Sequence, residues 1–264
     1  MTRSKVGNVD LTDGARLYLI GRPAMCAENI HRFLTDEDTS WRRSPDATAA
    51  EEMVELGGRL CYMSFGENQS PKTTREYIAQ LILSGHESVL EHATWTILIT
   101  GVSRAFSHQL VRHRIGFAFS QLSQQYHDET EARFVLPEFL EGHPGAVEVW
   151  SELVDLSKSA YKAIQEQIDL SPQKLSTKEN RRAVRSAARS VLPNATETKI
   201  LLTANARAIR HFLEVRGNIP GDIEMLRVSA LLLELMRAEA PRMFDDFELT
   251  NLPDGSPSVC LKRS

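Results

Sequence analysis

The sequence predicts an α+β fold built as one domain over residues 1–264. Two observations carry this. Apolar residues recur with a helical period in some stretches and alternate with a period of two in others, and the two kinds follow one another without a regular strand–helix–strand repeat. A chain of 264 residues, 42% hydrophobic and 25% charged, also has the ordinary composition of a globular protein that buries one large core.

Residues 15–21 (ARLYLIG) read as an early strand. Residues 49–62 and 72–84 read as helices, with Pro71 suiting the start of the second and Gly85 its end. Residues 93–102 set Trp95, Ile97 and Ile99 against threonines, the alternation of a half-buried strand. Ser103 then caps a helix expected to run to about Arg114, and residues 115–122 read as irregular or kinked. A long helix fits 144–168. Residues 169–178, with Ser171-Pro172, read as a linker, and Glu179–Val191 as a basic helix stopped by Leu192-Pro193. Residues 198–204 read as strand, with helices at about 205–216 and 222–239. From about residue 251 the chain is rich in Pro, Gly and Ser and is expected to be loose.

Composition narrows the function classes. No run of 18 apolar residues is present, which argues against a membrane helix. Asp10, Asp13 and Arg16 interrupt the first twenty residues, so they lack the apolar centre of a signal peptide and the cytoplasm is the expected location. The net charge of −4, from 31 basic and 35 acidic residues, argues against nucleic-acid binding, for which the arginine-rich segments 104–114 and 179–189 would be the only basis. Cys26, Cys61 and Cys260 are scattered and form no metal or disulfide pattern. Glycine-rich phosphate loops and the GxSxG elbow are missing, so any bound phosphate falls to arginines and helix ends.

Three clusters concentrate chemistry. In the first, Gln109, Arg112 and His113 are spaced to share one face of a continuing helix, and Arg112-His113-Arg114 puts three cationic or titratable groups side by side. Such groups repel unless water or an anion lies among them, and the nearby Phe117, Phe119 and Leu122 limit access to water. A solvated helix end and an anion or cofactor pocket both fit this pattern. In the second, Gly85-His86-Glu-Ser88-Val-Leu-Glu91-His92, the histidines are six apart, which rules out the helical zinc-protease spacing, and no metal is expected. In the third, Asn205, Phe212 and Arg216 lie along one helical stripe and Arg207 and His211 form an i,i+4 pair, with Arg189 just upstream in Ala-Ala-Arg-Ser-Val-Leu-Pro. Basic residues on amphipathic helices are usually solvated, and that reading stands beside the functional one.

Together these clusters resemble the flavin-dependent thymidylate synthases. That family is marked by Arg-His-Arg, a seven-residue gap and Ser, in a pattern ending Ser-x-Arg-Tyr; here Arg112-His113-Arg114 leads to Ser123 and Tyr126. GH-x-S-x-x-EH matches Gly85 to His92, VSRAxxHQLVRHR matches 102–114, Ala-Arg-x-x-Leu-Pro matches 188–193, and Asn-Ala-Arg…His-Phe…Arg matches 205–216. The resemblance implies that Arg112, His113 and Arg114 contact FAD, with Ser88, Glu91, Asn205, Arg207 and His211 around them. It implies that Gln109, Gln121, Ser123, Arg189 and Arg216 hold a uracil nucleotide, Arg216 acting on the ring and Ser123 positioning the substrate. It further implies methylenetetrahydrofolate as carbon donor, NADPH as reductant and a homotetramer. This chain departs from the pattern at three points: eight residues separate Arg114 from Ser123, Gln125 replaces the Arg before the tyrosine, and Pro220 stands where many relatives have His. The resemblance therefore implies C5-methylation of dUMP, with methylation of UMP, as in nucleoside-antibiotic pathways, as the alternative.

Overall fold

The computed structural model describes residues 5–71, 73–168 and 176–262. Strands β1 (Lys5–Val6) and β2 (Val9–Asp10) form a short antiparallel ribbon. β3 (Arg16–Gly21) is followed by α1 (Ala27–Asp36), an amphipathic helix that the sequence analysis did not anticipate. α2 (Ala49–Tyr62) begins in a capping box: the Glu51 N–H donates to the Thr48 hydroxyl, and the Thr48 N–H donates to the Glu51 carboxylate. α3 (Thr74–Leu83) is capped by Thr73 rather than started by Pro71. A 3-10 helix, Glu87–His92, then leads into β4 (Thr94–Ser103), whose Trp95, Ile97 and Ile99 are buried as their alternation requires.

Ser103 accepts a hydrogen bond from the Phe106 N–H and starts α4 (Arg104–Leu110). This helix stops short of Arg114, a correction to the sequence reading. Residues 117–121 are also not irregular but form β5 (Phe117–Gln121), which neighbours β6 (Glu197–Asn205) in a four-stranded sheet of order β3-β4-β6-β5. The competing principle is tertiary. A strand pairing, continued by the Leu122 N–H donating to the Lys199 carbonyl at 2.9 Å, replaces the helical bonds that residues 111–114 would have extended. Gly116, at φ +74°, makes the turn between the two.

α5 (Pro144–Gln167) and α6 (Thr177–Ala188) follow, α6 with its own capping box at Ser176 and Glu179; most of the linker read at 169–178 lies outside the described residues. β6 runs into α7 (Ala206–Arg216), capped by Asn205, and then α8 (Ile223–Glu239) and the single turn α9 (Pro241–Phe244). The segment expected to be loose is instead a hairpin, β7 (Phe247–Asn251) with β8 (Pro257–Leu261). Its Pro-Asp-Gly-Ser stretch is turn chemistry: Asp254 accepts from both the Ser256 N–H and its hydroxyl. Val259 is fully buried, and its N–H donates to the Gly217 carbonyl at 2.7 Å.

The chain packs as two compact units. The first gathers the described residues through Arg16, Leu98–Arg112 and Phe119–Leu201; the second gathers Leu17–Ile97, His113–Ala118 and the described residues from Leu202 onward. In the first, Val9, Ala132, Phe134 and Val154 form a core against which Leu11 and Trp150 pack. In the second, α2 and α3 are tied by fully buried Arg59, which donates to Glu55 (2.6 Å) and the Ser64 and Pro71 carbonyls and lies 4.4 Å over the Tyr77 ring. With both partners buried, removing either would strand the other's charge. Among the described residues no helix is long and apolar enough to cross a membrane.

Candidate functional site

In the second unit the chemistry-bearing residues converge by packing. His113 no longer belongs to a helix. Its half-buried ring meets Phe212 edge-on at 5.1 Å, and Phe117 approaches both rings. Burial, then the positive charges of Arg216 and His211, hold the His113 imidazole below its usual value, so at neutral pH it is uncharged. The same packing brings Asn205 to Gly116: a Cβ at Gly116 would lie 2.7 Å from the Ala208 Cβ and 2.9 Å from the Asn205 amide nitrogen. Asn205 Oδ1 caps α7 by accepting from the Ala208 N–H at 2.8 Å, leaving its NH₂ as the donor end.

The 3-10 helix Glu87–His92 reaches the first turn of α7 through Arg207, whose guanidinium lies 2.6 Å from Glu91 and 3.8 Å from Glu87. The Ala206 N–H donates to the Ala93 carbonyl at 2.8 Å beside it. Gly57 in α2 has no side chain where His92 packs, since a Cβ there would come within 2.9 Å of the imidazole. Ser88, Glu91, Arg114, Arg207 and His211 are exposed, whereas Arg216, at the end of α7, is half-buried with its Nη2 3.2 Å from Asp222.

In the first unit the candidate residues are anchored one by one. The Gln121 amide donates to the hydroxyls of Ser107 (2.7 Å) and Thr198 (3.2 Å). Ser123 turns the chain out of β5: its carbonyl accepts from the Tyr126 and His127 N–H groups, and its hydroxyl accepts from the Gln125 N–H. Arg185 of α6 holds that turn by donating to the Tyr126 carbonyl at 2.5 Å and lying 3.5 Å from Asp128. Arg189 ends α6, half-buried; burial pulls Arg104 below the usual arginine range against the attraction of Glu129, with the charge of Arg189 adding to the shift. Burial pushes the Glu129 carboxyl up, although His127 and Arg104 oppose the shift.

The structure divides the sequence-derived residues. Ser88, Glu91, His113, Arg114, Asn205, Arg207, His211 and Arg216 fall in the second unit; Gln109, Arg112, Gln121, Ser123 and Arg189 fall in the first. The shared helical face expected for Gln109, Arg112 and His113 is not formed, because α4 ends at Leu110. Gln109, in the last turn of α4, and Arg112, past its end, are both exposed. Sequence reasoning missed Asp222, Glu87 and Arg185. Asp222 and Glu87 are the partners of Arg216 and Arg207, and Arg185 holds the turn after Ser123; an acidic residue near a noted arginine was the available signal for the first two.

His113, held neutral chiefly by burial and then by Arg216, thus lies against an aromatic pair at the start of the β5 segment. Comparison with known proteins identifies the family. The family model of the thymidylate synthase complementing proteins, Thy1, matches residues 45–242. A protein of Mycolicibacterium gilvum named flavin-dependent thymidylate synthase is 41% identical over 227 residues, covering 85% of this chain and 89% of its own. Proteins of the same name from Mycobacteroides abscessus and Corynebacterium diphtheriae are 40% and 39% identical with the same shares covered.

Proposed function

This chain belongs to the Thy1 family, and from that premise we propose that it is a methyltransferase that converts dUMP to dTMP with methylenetetrahydrofolate as carbon donor and FAD, reduced by NADPH, as cofactor. The observation that carries the reading is the half-buried His113 ring packed on Phe212 within the field of Arg216, at residues that also carry the sequence resemblance. The names of the relatives specify thymidylate, which favours dUMP over UMP.

When bound, the reduced flavin supplies the hydride. The protein's part is to bind, orient and polarise. Arg112, His113 and Arg114 hold the cofactor with Ser88, Glu91, Asn205, Arg207 and His211. A neutral His113 offers one ring N–H donor and one ring N acceptor without adding a charge beside Arg216. Gln109, Gln121, Ser123 and Arg189 hold the nucleotide. Arg216 faces the uracil carbonyl and stabilises negative charge that develops on the ring; Asp222, at 3.2 Å, orients its guanidinium. Ser123 positions substrate rather than attacking it, its hydroxyl being engaged as the acceptor of the Gln125 N–H. Cys26, Cys61 and Cys260 lie outside both residue sets, so no thiolate attack on the ring is invoked.

The same reading makes the chain one catalytic domain, cytoplasmic, with a uracil nucleotide and folate as partners and neither nucleic acid nor membrane. An exposed apolar stripe on α5, Val149, Leu153 and Leu156, supports assembly with further copies as a homotetramer. The test is an FAD titration followed through the flavin absorbance, then initial rates of 5-methyl product from dUMP and from UMP. Binding at micromolar FAD and product from dUMP are expected; a protein that binds no FAD and makes no dTMP would overturn the reading.

A further inference from the structure

One cavity in the first unit borders the turn that follows Ser123. Its volume is about 370 Å³, and it is lined by Gln125, Glu179, Arg182, Ala183 and Ser186. The last four are spaced i, i+3, i+4 and i+7 on α6, so they form one face of that helix, and Arg189 continues the same face one turn on. Opposite them stands Gln125, whose N–H is held by the Ser123 hydroxyl at 3.3 Å. Arg185 clamps the following residues to α6 through Tyr126 and Asp128, so the spacing between turn and helix is set by a contact that does not use Arg182.

Among the residues that line this cavity, the side-chain donors are the guanidinium of Arg182, the hydroxyl of Ser186 and the amide of Gln125. That set suits a phosphate: one full positive charge with a planar fork of N–H groups, and two neutral donors to complete the oxygen shell. Gln125 is neutral and cannot balance the dianion, so the charge must come from the helix. Glu179 is the opposing group. Its carboxylate is engaged at the capping box, accepting from the Ser176 N–H at 2.9 Å, and Arg182 together with that bond holds it below the usual carboxylate range.

We propose that Arg182 is a binding residue for the phosphate of the nucleotide substrate, supported by Gln125 and Ser186. The inference rests on the reading of the Ser123 turn as the nucleotide site and adds the source of the positive charge there. Arg182 selects the phosphorylated form of the substrate; it takes no part in the methyl transfer or in holding the flavin.

The experiment uses the FAD-loaded enzyme with dUMP, deoxyuridine and inorganic phosphate as probes. Arg182→Ala is expected to raise the KM for dUMP about tenfold, the scale of one charge-assisted contact at a partly solvated site, while most of kcat is kept. Affinity for deoxyuridine, which lacks the phosphate, should stay within about twofold, and competition by inorganic phosphate should weaken in step with dUMP. Arg182→Lys should recover part of the loss, and adding Gln125→Arg to Arg182→Ala should restore binding from the other wall. A dUMP KM unchanged in Arg182→Ala, in an enzyme whose wild type makes dTMP, would overturn this assignment and leave the nucleotide reading standing. So would an equal loss for deoxyuridine, or loss of FAD from the variant. A wild type that binds FAD but neither binds nor methylates dUMP would remove the nucleotide reading and this proposal with it.

Discussion

The two compact units bring their candidate residues together by different means. In the second unit, His113, Asn205, Phe212 and Gly116 touch through close packing, and the electrostatics of one group depends on two others. In the first, Gln121, Ser123 and Arg185 are each pinned by their own hydrogen bonds to the sheet or to the turn. Packed clusters transmit a change in volume to every member, whereas separately anchored groups lose mainly their own contact. The residue set read for the flavin falls largely in the packed unit and the set read for the nucleotide largely in the anchored one, with Arg112 and Arg216 as the crossovers. The cofactor set is thus expected to fail together and the substrate set to fail piecemeal.

The largest expected effect is at Arg216. Arg216→Ala removes the group proposed to stabilise charge on the ring and should lower kcat by roughly a hundredfold, with the flavin content kept, as read by steady-state rates beside an absorbance spectrum. Loss of flavin in parallel would move Arg216 into the cofactor set and blur the comparison.

Gly116→Ala comes next. It adds a methyl group 2.7 Å from the Ala208 Cβ at a backbone φ of +74°. Strain and overpacking together should cost about 2 kcal/mol of stability, seen as a lower urea midpoint, and FAD binding should weaken with it. By contrast, Gln121→Ala should lower dUMP affinity with FAD binding retained. Equal effects of the two substitutions on both ligands would break the distinction between the units.

Arg207→Ala deletes an exposed guanidinium between Glu87 and Glu91. An exposed ion pair contributes about 0–1 kcal/mol to stability, so folding should hardly change. FAD affinity should fall severalfold, measured by fluorescence titration. Unchanged affinity would place Arg207 in a purely structural pairing.

The smallest effects concern pH, and their signs oppose. His113 is depressed by burial, Arg216 and His211, so its neutral form contributes stability above its ordinary value of 6.5, and that stability is lost as pH falls through its lower folded value. Glu129 is raised by burial, so its contribution is complete below its ordinary value of 4.5 and is lost as pH rises through the folded value. Denaturant unfolding between about pH 4 and 8 of wild type, His113→Asn and Glu129→Gln should show the acid-side slope reduced in the first variant and the opposing slope reduced in the second. A wild-type slope kept in both would refute the two assignments.

Much of this was legible in the chain. The cap at Ser103 marked a helix start through chemistry local to four residues; the structure adds the boxes at Thr48 and Ser176 and the cap at Asn205. The alternation in residues 93–102 and 198–204 marks the two inner strands of the sheet. The Arg-His-Arg, Gly-His and Asn-Ala-Arg elements carried the family resemblance because their spacing is itself a sequence property. The errors share one cause. β5 was hidden since a five-residue strand after Gly116 gains its stability from β6, some eighty residues away (about 80 by chain order). The tail was read as loose since turn residues in a hairpin loop and in a disordered end have the same composition. α1 buries no residue fully, and its helical signal is the short Ile30, Phe33 and Leu34 spacing alone.

The sequence alone therefore determined the family resemblance, where most helices begin, and the departure at Gln125. Only the tertiary structure decided that α4 stops at Leu110, that His113 lies on Phe212 within the field of Arg216 and His211, and that Gln125 faces Arg182 across a cavity. The physical reason is range. Capping and periodicity act over a few neighbouring residues, whereas strand pairing, ring packing and Coulomb fields depend on distances in space between residues far apart along the chain.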